Sequence, residues 1–497
     1  MKPRPTNLIP LFAAAFFPPL TPPTSPAASP TKEITYSEHI APLFQEKCVA
    51  CHRDGAAAPF TLTDYASAKR RARTILRTVD SGYMPPWHAV GGDIPLAGER
   101  LLSAPQRTLI KQWIENGSPE GDPALLPPKK TFPSGWPLGK PDLVLTMDQA
   151  YELPADGADI YRNFVIPTGL KKNKHLKAVA FRPSTPEVVH HALIYVDSSG
   201  RARKEDEANP QPGFAEMPVG QGSGRQVGGW VPGASPHPLP EGLAHSLPAN
   251  SDIVLQTHFH LSGKPEKEQS QVALYFSDKP SARPFTSIQI PPVFGAFAGI
   301  DIKPGAPQTT IVDAFDLPVA VKAFGAHPHS HYRGKSLRMT ALPPGSDKPI
   351  TLINIPEWDM NWQEEFRFVK PVHLPAGTRL ETTVVWDNSA ASTDNPVVPP
   401  VRVRWGLESY DEMGSVDLFV IPEGNKKQAE AAMKTLRNEY RDHVVWSAGS
   451  HVLAPDKLAI FGKLRAEALA KFDHNGDGHL DQKEKSAARA HLKTDLP

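Results

Sequence analysis

The stretch EVVHHALIYVD, residues 187–197, decides the fold class of the middle of this 497-residue chain. It is rich in β-branched and aromatic residues, as strands are. Similar stretches recur between turns rich in Pro, Gly, Asn and Asp: DIVLQTHFHL at 252–261, QVALYFS at 271–277, TRLETTVVWD at 378–387 and VRVRWGL at 401–407. Because no long helical period interrupts them, residues 140–425 are predicted to be all-β.

Length, proline content and charge narrow the organisation of the chain. A chain of this length is expected to hold about three domains, and we divide the β region into two sandwiches, 140–285 and 286–425. The 55 prolines exceed the roughly 25 expected from average usage and disfavour long helices in this region. A net charge of +1 gives no reason to expect nucleic acid as a partner.

The N-terminus, residues 1–33, is predicted to be a secretory signal peptide with a Pro-rich spacer. Lys2 and Arg4 precede a short apolar run at 8–17, and cleavage is expected near Ala27 or Ala28. That run is too short to cross a bilayer, which needs about 20 residues. We therefore expect a periplasmic or secreted protein with no membrane span in the mature chain.

Both cysteines lie in the motif CVACH, as Cys48, Cys51 and His52. C-x-x-C-H is the attachment signature of a c-type haem, whose iron takes the histidine as an axial ligand. A thioredoxin-like redox pair is the alternative, but that pair belongs in a βαβ context, whereas YSEHIAPLFQEK before the motif has a helical pattern. Residues 34–125 are predicted to form a small all-α cytochrome c-like domain.

The other axial ligand of the haem iron is expected downstream, in GYMPPWHA. Met84 is the first candidate because a thioether ligand suits a haem, and His88 is the second; Met84 as an ordinary core residue is the alternative. A helix is predicted after Ser103 and before Gly117, which have the residue types of an N-cap and a C-terminal stop.

Histidines cluster within the β region in a way that predicts metal binding. Two positions apart on a strand, side chains point to the same face, so an H-x-H pair can deliver two ligands together. Adjacent histidines can reach one metal only where the strand is bulged or ends. Imidazole suits copper and zinc alike. The clustered residues are His190 and His191, His258 and His260, and His327, His329 and His331.

The C-terminal part, residues 426–497, is predicted to be a helical tail with an EF-hand loop. The loop DHNGDGHLDQKE has the spacing of calcium ligands, and a solvated acidic loop is the alternative. With a single such loop, we expect one calcium ion in a structural or docking role. The predicted ligands are Asp473, Asn475, Asp477, His479, Asp481 and Glu484.

Four motifs of the β region together resemble the copper type II, ascorbate-dependent monooxygenases, the family of peptidylglycine α-hydroxylating monooxygenase and dopamine β-monooxygenase. The closer resemblance is to bacterial relatives of this family that are fused to a cytochrome c domain. The region with the stretch MPPW also resembles the haem domain of those relatives. The four motifs are VVHHALIYVD at 188–197, IVLQTHFH at 253–260, HSHYRGK at 329–335 and WGLESYDEMGS at 405–415.

The resemblance implies two jelly-roll-like sandwiches that hold one copper ion each. It implies that the first copper is bound by His190, His191 and His258. It implies that the second, oxygen-activating copper is bound by the catalytic residues His329, His331 and Met413. His260 and His327 are then neighbours of the two sites.

The implied function is that of an exported monooxygenase that hydroxylates a small organic substrate with O₂. A thioether ligand favours Cu(I), which agrees with copper and not with redox-inactive zinc. We expect the haem c to relay electrons to the copper ions from ascorbate or a periplasmic redox donor. If ascorbate reduced the copper ions of a Cys48→Ala, Cys51→Ala variant as fast as those of the unsubstituted protein, that hypothesis would be contradicted.

The sequence departs from the peptide-amidating members of the family at the positions that hold the substrate's carboxylate. His327 stands in place of an arginine, and Ser415 and Asp417 stand in place of an asparagine and a tyrosine. The family's disulfides are also absent. These differences argue against a glycine-extended peptide as the substrate.

The predicted fold class is therefore multidomain: a small all-α cytochrome c domain, two all-β jelly-roll-like sandwiches and a short α-helical EF-hand tail. Two other functions remain open at this point. One is a periplasmic copper and haem protein that transfers electrons or stores copper without oxygenase activity. The other is a binding scaffold that has lost its copper.

Overall fold

The structure is a computed structural model without ligands. It describes residues 33–56, 58–132, 135–215, 225–234, 236–296, 298–406, 408–447, 470–474 and 484. The predicted signal peptide and spacer lie outside the described residues, apart from Glu33.

The first β region contains two four-stranded antiparallel sheets that share one core. Its strands are β1 (Leu143–Thr146), β2 (Tyr151–Leu153), β3 (Ile160–Pro167), β4 (Lys174–Arg182), β5 (Val189–Asp197), β6 (Arg225–Trp230), β7 (His245–Leu247), β8 (Asp252–Phe259), β9 (Glu266–Glu268) and β10 (Gln271–Ser277). The sheet orders are β1-β10-β4-β7 and β3-β8-β5-β6, and β2 pairs with β9. Ile194 and Leu255 from one sheet and Leu247 and Leu274 from the other are fully buried in this core, whose apolar contacts stabilise the pair of sheets.

The second β region repeats this arrangement. Its strands are β11 (Thr286–Ile290), β12 (Asp301–Ile302), β13 (Thr309–Asp316), β14 (Val321–Ser330), β15 (Gly334–Leu342), β16 (Ile350–Ile355), β17 (Phe366–Leu374), β18 (Arg379–Trp386), β19 (Val403–Arg404) and β20 (Gly414–Pro422). The sheet orders are β11-β20-β14-β17 and β13-β18-β15-β16, and β12 pairs with β19. Val321 and Leu418 from the first sheet and Leu337 and Val384 from the second are fully buried between them.

The strands that carry the clustered histidines are central in their sheets. β5 and β8 are neighbours within β3-β8-β5-β6, and β14 lies between β20 and β17. A central strand is hydrogen-bonded on both sides, so its side chains are held on a rigid backbone. The histidine motifs are therefore built on the stiffest parts of both β regions.

Helices are concentrated before and after the β regions. A π-helical turn at Tyr36–Ile40 runs into the first α-helix. The α-helices are α1 (Ala41–Lys47), α2 (Tyr65–Asp80), α3 (Ala104–Glu115), α4 (Arg201–Glu207) and α5 (Lys426–Ser447). The helix predicted after Ser103 is α3, which Ser103 and Gln106 close with a reciprocal capping box.

The chain between α2 and α3 leaves the helices and lies along the second β region. The N–H of Val90 donates to the carbonyl of Asn354 on β16 at 3.0 Å, and the N–H of Ala97 donates to that of Arg367 on β17 at 2.8 Å. Trp87 is buried in the core of the second β region. β16 and β17 are edge strands, so this extended segment satisfies backbone groups that would otherwise be unpaired.

The predicted fold class is wrong. Within the described residues strands account for 33% and helices for 20%, the helices are few, and no small all-α cytochrome domain is evident. The extended segment after α2 explains part of the error, because it belongs to the second β core. Helix α5 also belongs to the second β core. Its Leu436 is buried in that core, and its Tyr440 hydroxyl donates to the carbonyl of Gln289 at 2.8 Å. The protein is mainly β with helical additions.

Replacing Trp87 by alanine is expected to lower the free energy of unfolding by about 3–5 kcal/mol, the usual cost of deleting a buried aromatic side chain. Trp87 is 6% exposed and packs edge-on against Phe366 at 5.2 Å between ring centroids. Urea unfolding measures the change, and Tyr83→Ala is the matched control because Tyr83 is 51% exposed. Equal effects of the two substitutions would show that the 84–102 segment is not part of the second core.

Among the helices that the structure describes, none is both long enough and apolar enough to cross a membrane.

Candidate metal centre

Three histidines of the first β region come together where β5 begins and β8 ends. The ligand nitrogens of His190, His191 and His258 lie within 4.8 Å of one another. His191 stands opposite His258 in the β5–β8 register, and that register shifts between Val189 and His191. The shift is the β-bulge that adjacent histidines need in order to reach one metal.

Hydrogen bonds fix which nitrogens of these rings are available as ligands. His190 Nδ1 and His191 Nδ1 lie 3.1 Å apart. His258 Nε2 lies 2.8 Å from Asp159 Oδ2, whereas His258 Nδ1 is buried and has no hydrogen-bond partner among the described residues. Because Asp159 can only accept, His258 Nε2 carries the proton and Nδ1 keeps a free lone pair. A histidine backed by a carboxylate in this way is typical of metal sites.

Burial lowers the pKa of His190 and His191 and so favours the neutral imidazole, which is the form that binds metal. Burial, with the nearby His258, lowers the pKa of His190 to about 4. The pKa of His191 is well below its usual value, first because of burial and then because other histidines surround it. Burial raises the pKa of Asp159, but the hydrogen bonds with His258 and His260 outweigh it and leave that pKa below its usual value.

The structure separates His260 from the three-histidine cluster. The His260 side chain is 65% exposed, and its Nδ1 lies 2.9 Å from the second oxygen of Asp159. Tyr161 covers the other face of the site: its ring stacks on that of His258 with centroids 4.2 Å apart. The sequence analysis missed Asp159 and Tyr161, since nothing in the local sequence links residues about a hundred positions from His258.

The second group of predicted ligands lies at one end of the strand pair β14–β20. His329 is near the end of β14, His331 follows it, and their ring centroids are 5.3 Å apart. Met413 is buried directly before β20, and its carbonyl accepts a hydrogen bond from Ser330 Oγ at 2.8 Å. Ser330 stands between the two histidines in the sequence, so the Met413 backbone lies next to the strand that carries them. His327 faces Asp417 across the same strand pair.

A buried carboxyl group holds the corner that carries His331. Glu412 accepts hydrogen bonds from the N–H of Arg333 at 2.6 Å, the N–H of His331 at 3.2 Å and Trp386 Nε1 at 3.1 Å. Burial raises the pKa of Glu412 to about 8, and the N–H groups of Arg333 and His331 oppose that rise. The sequence analysis did not identify Glu412 as a functional residue.

Two glycines allow the backbone to approach closely at this corner. A Cβ at Gly334 would lie 2.5 Å from the Trp358 ring, and a Cβ at Gly414 would lie 2.4 Å from the Trp386 ring. Both distances are shorter than side chains tolerate, so these positions require glycine. Gly334 is the glycine of the HSHYRGK motif.

The two histidine groups face each other across the interface between the β regions. The charges of His329 and His331 are among those that lower the pKa of His191. Burial lowers the pKa of His331 to about 4, with a smaller contribution from His258. The Tyr161 hydroxyl, beside the first group, is hydrogen-bonded to Ser409 Oγ in the loop that leads to Met413. One interface therefore contains both groups.

The C-x-x-C-H segment also lies against the β regions. Burial, with a contribution from Cys51, raises the pKa of Cys48 to about 12. Cys51 Sγ lies 3.9 Å from the carbonyl oxygen of Gly233 in the first β region. His52 Nδ1 lies 3.0 Å from the Phe60 carbonyl, so Nδ1 carries the proton and Nε2 keeps its lone pair. A free Nε2 lone pair is what an iron ligand needs.

Several buried N–H groups near this segment lack acceptors. Arg53 Nε, Trp87 Nε1 and Arg100 Nε have no hydrogen-bond partner among the described residues. Arg53 and Arg100 are among the charged groups that act on Cys51. Unpaired buried donors are rare in proteins, and the two carboxylates of a haem would provide acceptors for them. The donor set therefore fits a haem.

The structure distinguishes the environments of the two candidate axial ligands. Met84 is half-buried, and its N–H donates to the Thr78 carbonyl at 3.0 Å. His88 Nδ1 lies 3.1 Å from the Glu357 carbonyl, while His88 Nε2 is buried without a partner among the described residues. His88 thus has a free lone pair but is anchored to the second β region.

Most of the predicted calcium loop lies outside the described residues, including Asn475, Asp477, His479 and Asp481. Asp473 and Glu484 are described. Glu484 is buried, and its Oε1 accepts a hydrogen bond from the N–H of His474 at 2.8 Å. The calcium site stays a prediction.

The metal-free protein is expected to lose stability as the pH falls from about 6.5 to about 4. An unfolded histidine has a pKa of about 6.5, whereas His190 and His331 stay neutral to about pH 4 in the folded state. At these two histidines the unfolded state binds more protons throughout this window, so each contributes up to about 3 kcal/mol that is lost on acidification, whereas Glu412, whose pKa burial raises to about 8, contributes in the opposite direction. Urea unfolding across this pH range measures the loss, and His190→Gln should flatten the curve. Equal slopes for the unsubstituted protein and His190→Gln would contradict the burial of the His190 ring.

Comparisons with known proteins do not identify the chain. No family model matches it, and no curated protein matches it. Among solved structures, an infectious bursal disease virus (IBDV) particle has 13% identity over 60% of this chain and 74% of that chain, with a TM-score of 0.17. A VP2 subviral particle of the same virus has 10% identity over 72% of this chain and 94% of that chain, with a TM-score of 0.16. A Paenibacillus xanthan lyase has 8% identity over 55% of this chain and 25% of that chain, with a TM-score of 0.14. Similarity this low supports no conclusion about fold or function.

Proposed function

We propose that the chain is an exported copper-dependent monooxygenase that hydroxylates a small organic substrate with O₂. The observation that carries the proposal is the meeting of two unlike histidine groups at one interface. One group offers three ring nitrogens within 4.8 Å. The other is the pair His329 and His331, and the intervening Ser330 is hydrogen-bonded to the backbone carbonyl of the buried Met413.

The donor chemistry of both groups fits copper. Neutral imidazoles bind Cu(I) and Cu(II), and a thioether favours Cu(I). His190, His191 and His258 would hold one copper ion, and His329, His331 and Met413 the other. When bound, the copper ions supply one-electron redox chemistry and activation of O₂.

The protein's own residues prepare these sites in three ways. Asp159 holds the proton of His258 on Nε2, so that Nδ1 stays free for a metal. Glu412 holds the backbone on both sides of His331. Burial of Met413, which is 3% exposed, keeps water away from its thioether and limits side reactions.

We propose that Cys48 and Cys51 attach a haem c, with His52 as one iron ligand and Met84 or His88 as the other. Its role would be to pass electrons singly, which matches the one-electron steps of copper. Ascorbate or a periplasmic redox protein would supply the electrons. The His52 and His88 lone pairs and the unpaired donors near Cys51 support this part of the proposal. We also propose that the loop beginning with Asp473 binds one calcium ion.

Mass spectrometry with isotopically labelled O₂ tests the oxygenase activity. The copper-loaded protein is incubated with ascorbate, labelled O₂ and a panel of small aromatic, aliphatic and amine compounds. We expect labelled oxygen in at least one product, and none with Met413→Leu, which keeps the apolar volume but lacks the thioether. If two copper ions bind but no compound takes up label, the chain is better described as a copper-binding electron-transfer protein.

A further inference from the structure

One short turn of the second β region contacts the first histidine group. The turn, residues 359–363, lies between β16 and β17 and includes a 3₁₀ helix at Met360–Trp362. Asn361 Oδ1 lies 3.2 Å from His190 Nε2, across the interface with the first β region.

The orientation of Asn361 is fixed by its neighbour. Asp359 Oδ1 accepts from both the backbone N–H and the side-chain Nδ2 of Asn361, at 2.9 and 2.8 Å. Because a carboxylate only accepts, the NH₂ group of Asn361 faces Asp359 and its Oδ1 faces His190. His190 Nε2 must then be the donor. The proton of His190 is therefore held on Nε2, and Nδ1 is left with its lone pair towards His191.

We propose that Asn361 is a positioning residue for the first metal site and that the 359–363 turn supports it. The inference rests on the proposed function, because it assumes that the first histidine group binds copper. The first site would then depend on a residue supplied by the second β region. Partners that orient a metal-binding histidine commonly contribute about 10–100-fold to metal affinity.

The turn thus makes a prediction for the first site alone. Asn361→Leu removes the acceptor at His190 and should weaken the first site by about 10–100-fold, leaving the second unchanged. Asn361→Asp in an Asp359→Asn background keeps an acceptor at the same place without bringing two carboxylates together, and should hold the first site within about tenfold of the unsubstituted protein.

Copper affinity, measured by competition with a chelator on the full chain, tests these predictions. The first site is titrated in a His331→Ala background and the second in a His258→Ala background, so that each measurement reports one site. Asn173→Leu is the matched control, because Asn173 Oδ1 accepts from the Ala249 N–H at 2.9 Å outside the site. The spectrum of Cu(II) at each site gives a second readout that a general loss of stability would not change selectively.

The outcomes separate this inference from the proposed function. A loss confined to the first site in Asn361→Leu, with rescue by Asn361→Asp in the Asp359→Asn background, supports the positioning role. If two copper ions bind per chain and Asn361→Leu changes no affinity, the inference is overturned while the metal sites stand. If the unsubstituted chain binds no copper at these groups, the proposed function fails and this inference fails with it.

Discussion

A His258→Ala variant is expected to lose copper from the first site, with an affinity reduced by at least about 100-fold, more than the loss of an outer partner causes. His258 Nδ1 is a buried ring nitrogen that has no partner among the described residues. Removing it leaves His190 and His191 as the only imidazoles of a three-nitrogen cluster. Copper binding at the second site should change little, because none of its ligands is altered.

His260→Ala is the matched control for this substitution. Both histidines are hydrogen-bonded to Asp159, but His260 is largely exposed and stands outside the cluster. We expect the control to keep its copper within about tenfold, as for the loss of a peripheral partner. Chelator competition followed by elemental analysis makes the comparison. Equal losses in the two variants would show that Asp159, and not the ring nitrogen of His258, determines copper binding.

A Glu412→Ala variant is expected to lower the free energy of unfolding by about 3–5 kcal/mol, because it leaves two buried donors without an acceptor. Those donors are the backbone N–H groups of His331 and Arg333, whereas the Trp386 indole N–H keeps Ser330 Oγ and the Met413 carbonyl as acceptors. The corner that carries His331 should loosen at the same time. Copper affinity at the second site is therefore expected to fall together with stability.

Two further variants show whether the buried acceptor is the cause. Glu412→Gln keeps one side-chain oxygen, and since burial raises the pKa of Glu412 to about 8, the neutral amide resembles the group present at neutral pH. Glu412→Gln should lower the free energy of unfolding by less than half as much as Glu412→Ala does. Glu408→Ala removes an exposed carboxylate from the same loop and should change stability by no more than about 0.5 kcal/mol. Urea unfolding measures the change in the free energy of unfolding for all three variants. If Glu412→Ala lowered that free energy as little as Glu408→Ala does, the role of Glu412 would be contradicted.

The β regions were predictable because their signals are local. Runs of β-branched and aromatic residues between turns mark β5 and β8, and the bulge at His191 follows from the requirement that two adjacent histidines face one neighbour. The helical domain was not predictable in this way. Whether the segment at Trp87 joins helices or a β core depends on unpaired edge strands more than 250 residues away, and no local pattern records that.

The candidate site shows the same division between local and distant information. His190, His191 and the H-x-H pair are visible in the sequence because their spacing is itself the signal. Asp159, Asn361 and Glu412 are not, because each is an ordinary polar residue until the fold brings it to a histidine or its backbone. The residues that orient ligands are therefore found only in the structure.

Copper content per chain, measured together with site-specific variants, tests the central claim most directly. The purified protein is loaded with copper, freed of excess metal and analysed for copper per chain. The account predicts two copper ions in the unsubstituted chain and one in each of His258→Ala and Met413→Leu. No tightly bound copper, or a content that neither substitution changes, would contradict the assignment of these residues as two metal sites.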